Sequence, residues 1–418
     1  MAKLPIGFAL PLLLAMAPQA FSYSVLTHEA IIDSAWEGSI KPLLLERFPD
    51  ASAAQLKQAH AYAYGGSIIQ DMGYYPFGSH LFTDLLHYVR SGDFVLNLIR
   101  ESQNLNEYAF SLGALAHYAG DINGHRFAVN LAVPDLYPKL RLRFGPVVTY
   151  ADDPLAHIKT EVGFDALEVA QGHYAPQGYH DFIGFEVAKA VLERAFEDTY
   201  GLKLNDMFLS TDLALGTYRY AVSSLIPELT RVAWQMKKNQ IVLGEPGMTR
   251  KRFLYNMSHA SFRKEWGTNY QKPGFGTRFI AFILKLMPKI GPLKILQFRK
   301  PTPETERVFM ASVNDTINNY REFLSAQRAG QLRLANLNLD LGELTQPGRY
   351  KLCDQAYAEL LDKLHGHYSG IPFDLRANIL AFYSDQNAPI ATKADGKAWS
   401  RVVRELSELE TTRPAPQL

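Results

Sequence analysis

Apolar residues recur at helical spacing along most of the chain, and no region shows the strict alternation of half-buried strands. The clearest helix begins at Asn104, a good capping residue, and runs through Leu112, Leu115, Ala116 and Ala119 to His125. Asp153-Pro154 offers an N-cap followed by a proline at the first helical position, where its missing N–H does no harm. From Asp181 to Gln240 the period continues through Phe182, Phe185, Ala188, Val191 and Leu192, then Leu213, Leu215, Tyr218, Ala221 and Val222. Thr302-Pro303 starts another helix with an apolar face of Phe309, Val313, Ile317, Tyr320 and Leu324. Further helical patterns lie at Tyr357 to Leu364, Leu375 to Tyr383 and Trp399 to Leu409, and Thr27 is placed to cap a short helix through Ala30 and Ile31. The expectation is an all-α fold: a helical domain over residues 23–245, then a helical C-terminal region over 301–418 ending in a disordered tail.

Three stretches depart from this pattern. Arg126 to Tyr150, with Pro134, Pro138 and the basic Lys139-Leu-Arg-Leu-Arg run, reads as a surface excursion, and Asn336 to Arg349 reads as a loop. Residues 246–300 form a connector in which Phe279 to Lys300 is strongly apolar but carries Lys285, Lys289 and Lys294. Its two prolines exclude one straight spanning helix, so it fits either a segment seated on an anionic lipid surface or a buried connector.

Lys3, the apolar run Ile6 to Met16 and the small-x-small Ala20-Phe-Ser22 form a signal peptide over residues 1–22, with cleavage before Tyr23. The run is too short for a spanning anchor, which needs about 20 apolar residues, and Pro11 interrupts it. The expected location is therefore outside the cytoplasm, periplasmic or secreted. Cys353 is the single cysteine, so such a chain must be stable without an internal disulfide, and Cys353 suits a small buried apolar role. The 43 basic and 42 acidic residues balance, which removes the argument for a strongly basic nucleic-acid-binding protein. No internal repeat, Walker phosphate loop or Gly-x-Ser-x-Gly elbow is present.

The chemistry is concentrated early. Nine of the twelve histidines lie between His28 and His180, yet the zinc-finger patterns fail because they need paired cysteines. His117, Asp121 and His125 stand four apart in the long helix, where such positions drift only slowly around the axis. Gly113, Gly120 and Gly124 weaken that helix without filling volume, which suits the close approach of other backbones or of ions. Alone, the run also describes a core helix with hydrogen-bonded histidines. His157 and Glu161 repeat the i, i+4 spacing, and Asp71 sits in an aromatic-rich loop punctuated by Gly, Ser and Pro, followed by His80 and His87. Cleavage before Tyr23 would leave an amine and carbonyl able to chelate, five residues ahead of His28.

With His28, Asp71, His87, His117-x3-Asp121, His125 and His157-x3-Glu161 in this order, the sequence resembles the zinc-dependent phospholipase C family, whose fold is shared with zinc-dependent single-strand nucleases. The resemblance covers about Tyr23 to Glu161. It implies an all-α phospholipase C/nuclease-like domain, up to three zinc ions per chain and hydrolysis of a phosphodiester by metal-activated water. Carried over by motif, Tyr23 and His28 serve the first ion, and Asp121 bridges the first and second. Asp71, His87 and His117 complete the second, while His125, His157 and Glu161 hold the third. Asp71 is the expected general base, with Glu161 in reserve. The chain departs from the family in having Tyr23 where Trp usually stands and an Asp121-to-His125 step two residues short; His80 is an alternative to His87, and no lipid-binding β-sandwich follows. The expected substrate is a glycerophospholipid, cleaved to diacylglycerol and a phosphorylated head group, with a membrane surface as partner and no obligate protein partner evident. The rivals are a nuclease, for which Tyr74, Tyr75 and Arg90 are weak stacking and charge candidates, and a non-catalytic exported metal-binding protein.

Overall fold

The computed structural model describes residues 24–171, 173–174, 179, 183–226, 297–385 and 387–413. Among these, helices dominate as the periodicity predicts, and a two-stranded antiparallel hairpin, Leu337–Asn338 against Glu343–Leu344, is the one sheet. Tyr23, most of the apolar run from Phe279 and the last five residues lie outside the described residues. No helix among the described residues is long and apolar enough to cross a membrane.

The long helix spans Leu105–Gly124, and the Asn104 side chain accepts from the Asn106 and Glu107 amides at 3.1 Å, satisfying two N–H groups that have no partner within the helix. It is buried on nearly every side, so its small residues mark contacts rather than weakness. A Cβ on Gly113 would fall 2.1 Å from the carbonyl oxygen of Ala63, and one on Gly66 would fall 1.9 Å from that of Phe110. The helix Ala53–Gly66 therefore lies backbone to backbone against the central helix, closer than any side chain would permit. This approach brings Ser67, one residue beyond Gly66, up to the ring of His117.

The helix Val25–Ala35 starts at Ser24, not at Thr27. The Thr27 hydroxyl donates to Asp165 Oδ1 at 2.8 Å, and the Leu26 amide donates to Asp165 Oδ2 at 3.0 Å. A carboxylate from the helix Pro154–Gln171 thus does the capping that a local side chain was expected to do. Asp153 caps that second helix as expected, with Oδ1 taking the Ala156 amide at 2.9 Å. The helix Pro303–Arg328 opens with a capping box of Thr302 and Thr305, packs on Val25–Ala35 and on the central helix, and donates from Tyr320 to Leu112 O at 2.8 Å. One apolar core runs through both the early helices and these later ones.

Two stretches differ from their reading in the sequence. Of Arg126 to Tyr150, only Pro138–Phe144 is an exposed helix without a buried residue; His125–Val129 is a π-helical turn and Asn130–Leu136 is a half-buried helix that accommodates Pro134. Asn336 to Arg349 is the hairpin, whose turn residues Leu339 and Asp340 are buried. Among the described residues between Asp181 and Gln240, helices cover Lys189–Tyr200 and Thr211–Tyr220, while Phe185 precedes them in irregular chain; Phe182 and residues 227–240 lie outside the described residues. Cys353 is buried and unpaired, and burial pushes its thiol well above the usual range, which keeps it inert.

Candidate metal centre

Six elements converge on one buried volume. His28 comes from the first helix, Asp71 from the short turn Ile69–Tyr74 behind the buried pair Ile68 and Ile69, and His87 from the last turn of the helix His80–Tyr88. His117 and Asp121 come from the central helix, His125 from the π-helical turn that continues it, and His157 and Glu161 from Pro154–Gln171. All eight side chains are buried. They form three groups whose candidate donor atoms lie within 4.8 Å of one another: His28, His117 and Asp121; Asp71, His87 and His117; and His125, His157 and Glu161.

Backbone carbonyls decide which nitrogen of two rings faces inward. His117 Nδ1 lies 3.0 Å from Ser67 O and His87 Nδ1 lies 2.9 Å from Thr83 O; a carbonyl only accepts, so both Nδ1 atoms carry hydrogen. Each neutral ring then turns its Nε2 lone pair inward. These Nε2 atoms stand 3.4 Å apart, each close to Asp121 Oδ2 at 3.2 Å from His87 and 3.1 Å from His117, while His87 Nε2 is also 3.4 Å from Asp71 Oδ1. Lone pairs and carboxylate oxygens packed this way repel one another unless positive charge lies between them. Protons can supply it: burial opposes charge on His87 and His117, but the carboxylates of Asp121 and Asp71 outweigh burial and hold both above the usual imidazole range. A divalent cation supplies it without an extra proton on either ring.

Other observations fit a cation. Among the described residues, the one side-chain partner near Asp71 is His87 of the same group, 3.4 Å from Oδ1, and burial raises the Asp71 carboxyl despite the neighbouring His117 and His87. Asp121 turns Oδ2 to one group and Oδ1 to the other, 3.7 Å from His28 Nε2, and although burial opposes its charge, His117 and His87 keep it well below the usual carboxylate range. Burial lowers His28 and His157 well below the ordinary imidazole value and takes His125 down to about 3, so these three rings are neutral, as ligation requires. His157 faces two acceptors, with Nδ1 2.7 Å from Glu161 Oε1 and Nε2 2.9 Å from Asn130 Oδ1. A neutral ring has one hydrogen for two acceptors. With that hydrogen on Nε2, either a proton on Glu161, whose carboxyl burial raises well above its usual range, or a cation must sit at the Nδ1–Oε1 contact.

His28 stacks on His117 with ring centroids 4.6 Å apart, and His125 stacks on His157 at 5.0 Å. The i, i+4, i+8 series of the central helix is therefore divided: His117 and Asp121 stay together, and His125, where the chain leaves α-helical geometry, joins His157 and Glu161. His80 is exposed, meets Tyr74 edge-on and belongs to none of the groups, so His87 is the histidine that accompanies Asp71. Tyr74, Tyr75 and Arg90 are buried, and Arg90 is bound to Asp93 and Asp374; none of the three presents the open face that base stacking needs.

Sequence reading missed two neighbours. Asn130 bonds His157 from within the supposed surface excursion, and Asp340 reaches His125 from the hairpin turn, with its Oδ1 3.3 Å from His125 Nε2. The Asn338-Leu-Asp-Leu-Gly342 run is a legible turn signal, but nothing local ties it to residues so far upstream.

Residues 27–206 match the family model described as zinc dependent phospholipase C. No curated protein and no solved structure matches the chain.

Proposed function

From the premise that residues 27–206 form a domain of the zinc-dependent phospholipase C family, we propose that this protein is an exported phospholipase C that hydrolyses glycerophospholipids to diacylglycerol and a phosphorylated head group. The observation that carries the reading is the convergence of two imidazole lone pairs, each set by a backbone carbonyl, on one oxygen of Asp121. That arrangement needs positive charge between its atoms, and divalent cations supply it without protonating either ring. His28, His117 and Asp121, joined by the amine and carbonyl of a mature Tyr23, would hold one zinc ion; Asp71, His87 and His117 with Asp121 a second; His125, His157 and Glu161 a third.

Bound zinc supplies Lewis acidity for the phosphate oxygens and brings the pKa of a water towards neutrality. The protein's own part is positional. Ser67 O and Thr83 O prevent the rings of His117 and His87 from turning, and burial of the whole set excludes bulk water, which strengthens every charge interaction inside. Asp71 is the general base: it lies within the centre beside His87, and its raised carboxyl is a better proton acceptor than an exposed aspartate. Glu161 is the reserve for that role.

Lipid specificity is supported by the family and by the apolar, lysine-bearing run from Phe279. Purified protein should release phosphorylated head group from phosphatidylcholine vesicles and leave single-stranded DNA intact. Cleavage of DNA alone would overturn the lipid assignment. N-terminal sequencing of the exported protein should begin at Tyr23, and a different first residue would remove that ligand from the scheme.

A further inference from the structure

Asp340 lies outside the matched 27–206 segment, in the turn between Leu337–Asn338 and Glu343–Leu344, yet it is buried beside His125. The turn is fixed to the site from several directions. Leu339 donates its amide to His87 O at 3.0 Å, Asn130 Nδ2 donates to Asp340 O at 2.8 Å, and Arg126 Nη1 donates to Gly342 O at 3.1 Å. Asn338 Oδ1 takes the Asp340 amide at 3.0 Å and so shapes the turn from within. Gly342 closes it with φ +61°, and a Cβ there would meet Ile122 O at 2.6 Å, so the turn presses directly on the helix that carries Asp121.

The Asp340 side chain is oriented as closely as its backbone. Tyr88 donates to Oδ2 at 2.9 Å, and Tyr350 donates to the same oxygen while accepting the Ala151 amide at 3.1 Å. Both hydroxyls hold one oxygen, which leaves Oδ1 facing His125 Nε2 at 3.3 Å, on a ring stacked against His157. A carboxylate needed only to hold a hairpin would not have to be buried against a histidine of a metal-binding group, where desolvation is costly. Its neighbours there, His125, His157 and Glu161, offer two nitrogens and one carboxylate to a cation, and a carboxylate beside a ligating histidine commonly tunes such a site.

We propose that Asp340 is a further metal-facing carboxylate, delivered by the C-terminal region to the His125 end of the centre and aimed by Tyr88 and Tyr350. The inference rests on the zinc-dependent reading above. It gives the C-terminal region a role in the site itself, so that the centre is complete only when the hairpin is seated.

The test is zinc affinity, measured by competition with a chromophoric chelator on the full exported chain, together with zinc content per chain. Asp340→Asn keeps an acceptor for Tyr88 and Tyr350 but removes the charge, and it should weaken the weakest-held zinc by roughly 10–100-fold, the loss typical when a carboxylate beside a ligating histidine is changed. Tyr350→Phe keeps the carboxylate but loosens its aim, and it should weaken binding less. Wild-type zinc with unchanged affinity in Asp340→Asn would overturn this proposal alone. A wild-type protein without zinc would overturn it together with the function on which it rests. If Asp340→Asn does not fold, Tyr350→Phe decides, and unchanged zinc affinity there overturns the proposal.

Discussion

Gly113→Ala tests the close helix contact on which the site geometry depends. The added Cβ would lie 2.1 Å from Ala63 O and 2.9 Å from Ser67 N, against about 3.4 Å for ordinary contact, and both obstacles are backbone. The helices Ala53–Gly66 and Leu105–Gly124 must therefore separate by roughly 1 Å, since no rotamer change can relieve the clash. Alanine gains about 1 kcal/mol of helix propensity over glycine, while overpacking of this kind costs about 1–3 kcal/mol and more when the backbone must move. The net expectation is a loss of about 1–2 kcal/mol. The shift also bears on the site: Ser67 O holds His117 Nδ1 at 3.0 Å, and roughly 1 Å more would break that bond and release the ring. Gly216→Ala is the matched control. Gly216 lies exposed in the helix Thr211–Tyr220, and a Cβ there meets nothing within 4 Å, so this variant should gain about 0.5–1 kcal/mol. Thermal unfolding and zinc content of both variants check the argument. Two stabilised variants with unchanged zinc would refute it.

Asp121→Ala removes the oxygens shared by two groups and should lower zinc content while abolishing hydrolysis; wild-type zinc and activity in this variant would contradict the shared role. Asp71→Asn should reduce kcat by about 10²–10⁴ if Asp71 is the general base, and an unchanged pH–rate profile and kcat would exclude it. Asp165 concerns stability instead. Burial pushes its carboxyl up to about 6, against hydrogen bonds from Ser24, Thr27 and Leu26. Because the folded value lies above the unfolded one of about 3.9, its stabilising contribution is full below about pH 4 and is lost as pH rises through about 6. Asp165→Asn should flatten that part of the melting-temperature profile, and an unaltered slope between about pH 4 and 6 would show that Asp165 does not govern it.

The helices were legible because their signals are local: Asn104, Asp153 and Thr302 cap the elements they precede, and the apolar faces of Val313, Ile317 and Tyr320 or of Leu112 and Leu115 need only the helical period. The ligand groups were legible only through the order of the histidines and carboxylates, which carries a resemblance but no distances. What escaped reading is set by partners distant in sequence. Thr27 looks like a cap until Asp165 takes its hydroxyl, and Asn130 and Asp340 look like surface and loop residues until folding places them beside His157 and His125. The division of His117, Asp121 and His125 between groups depends on the π-helical turn at His125–Val129, which a 3.6-residue period does not foresee.

The most direct test is the zinc content of the purified, exported protein, measured by elemental analysis after removal of loosely held metal. The three groups of imidazoles and carboxylates predict more than one tightly bound zinc ion per chain, up to three, released at acid pH as protons compete for the histidines. A folded protein that holds no zinc, even after zinc is added back, would contradict the account.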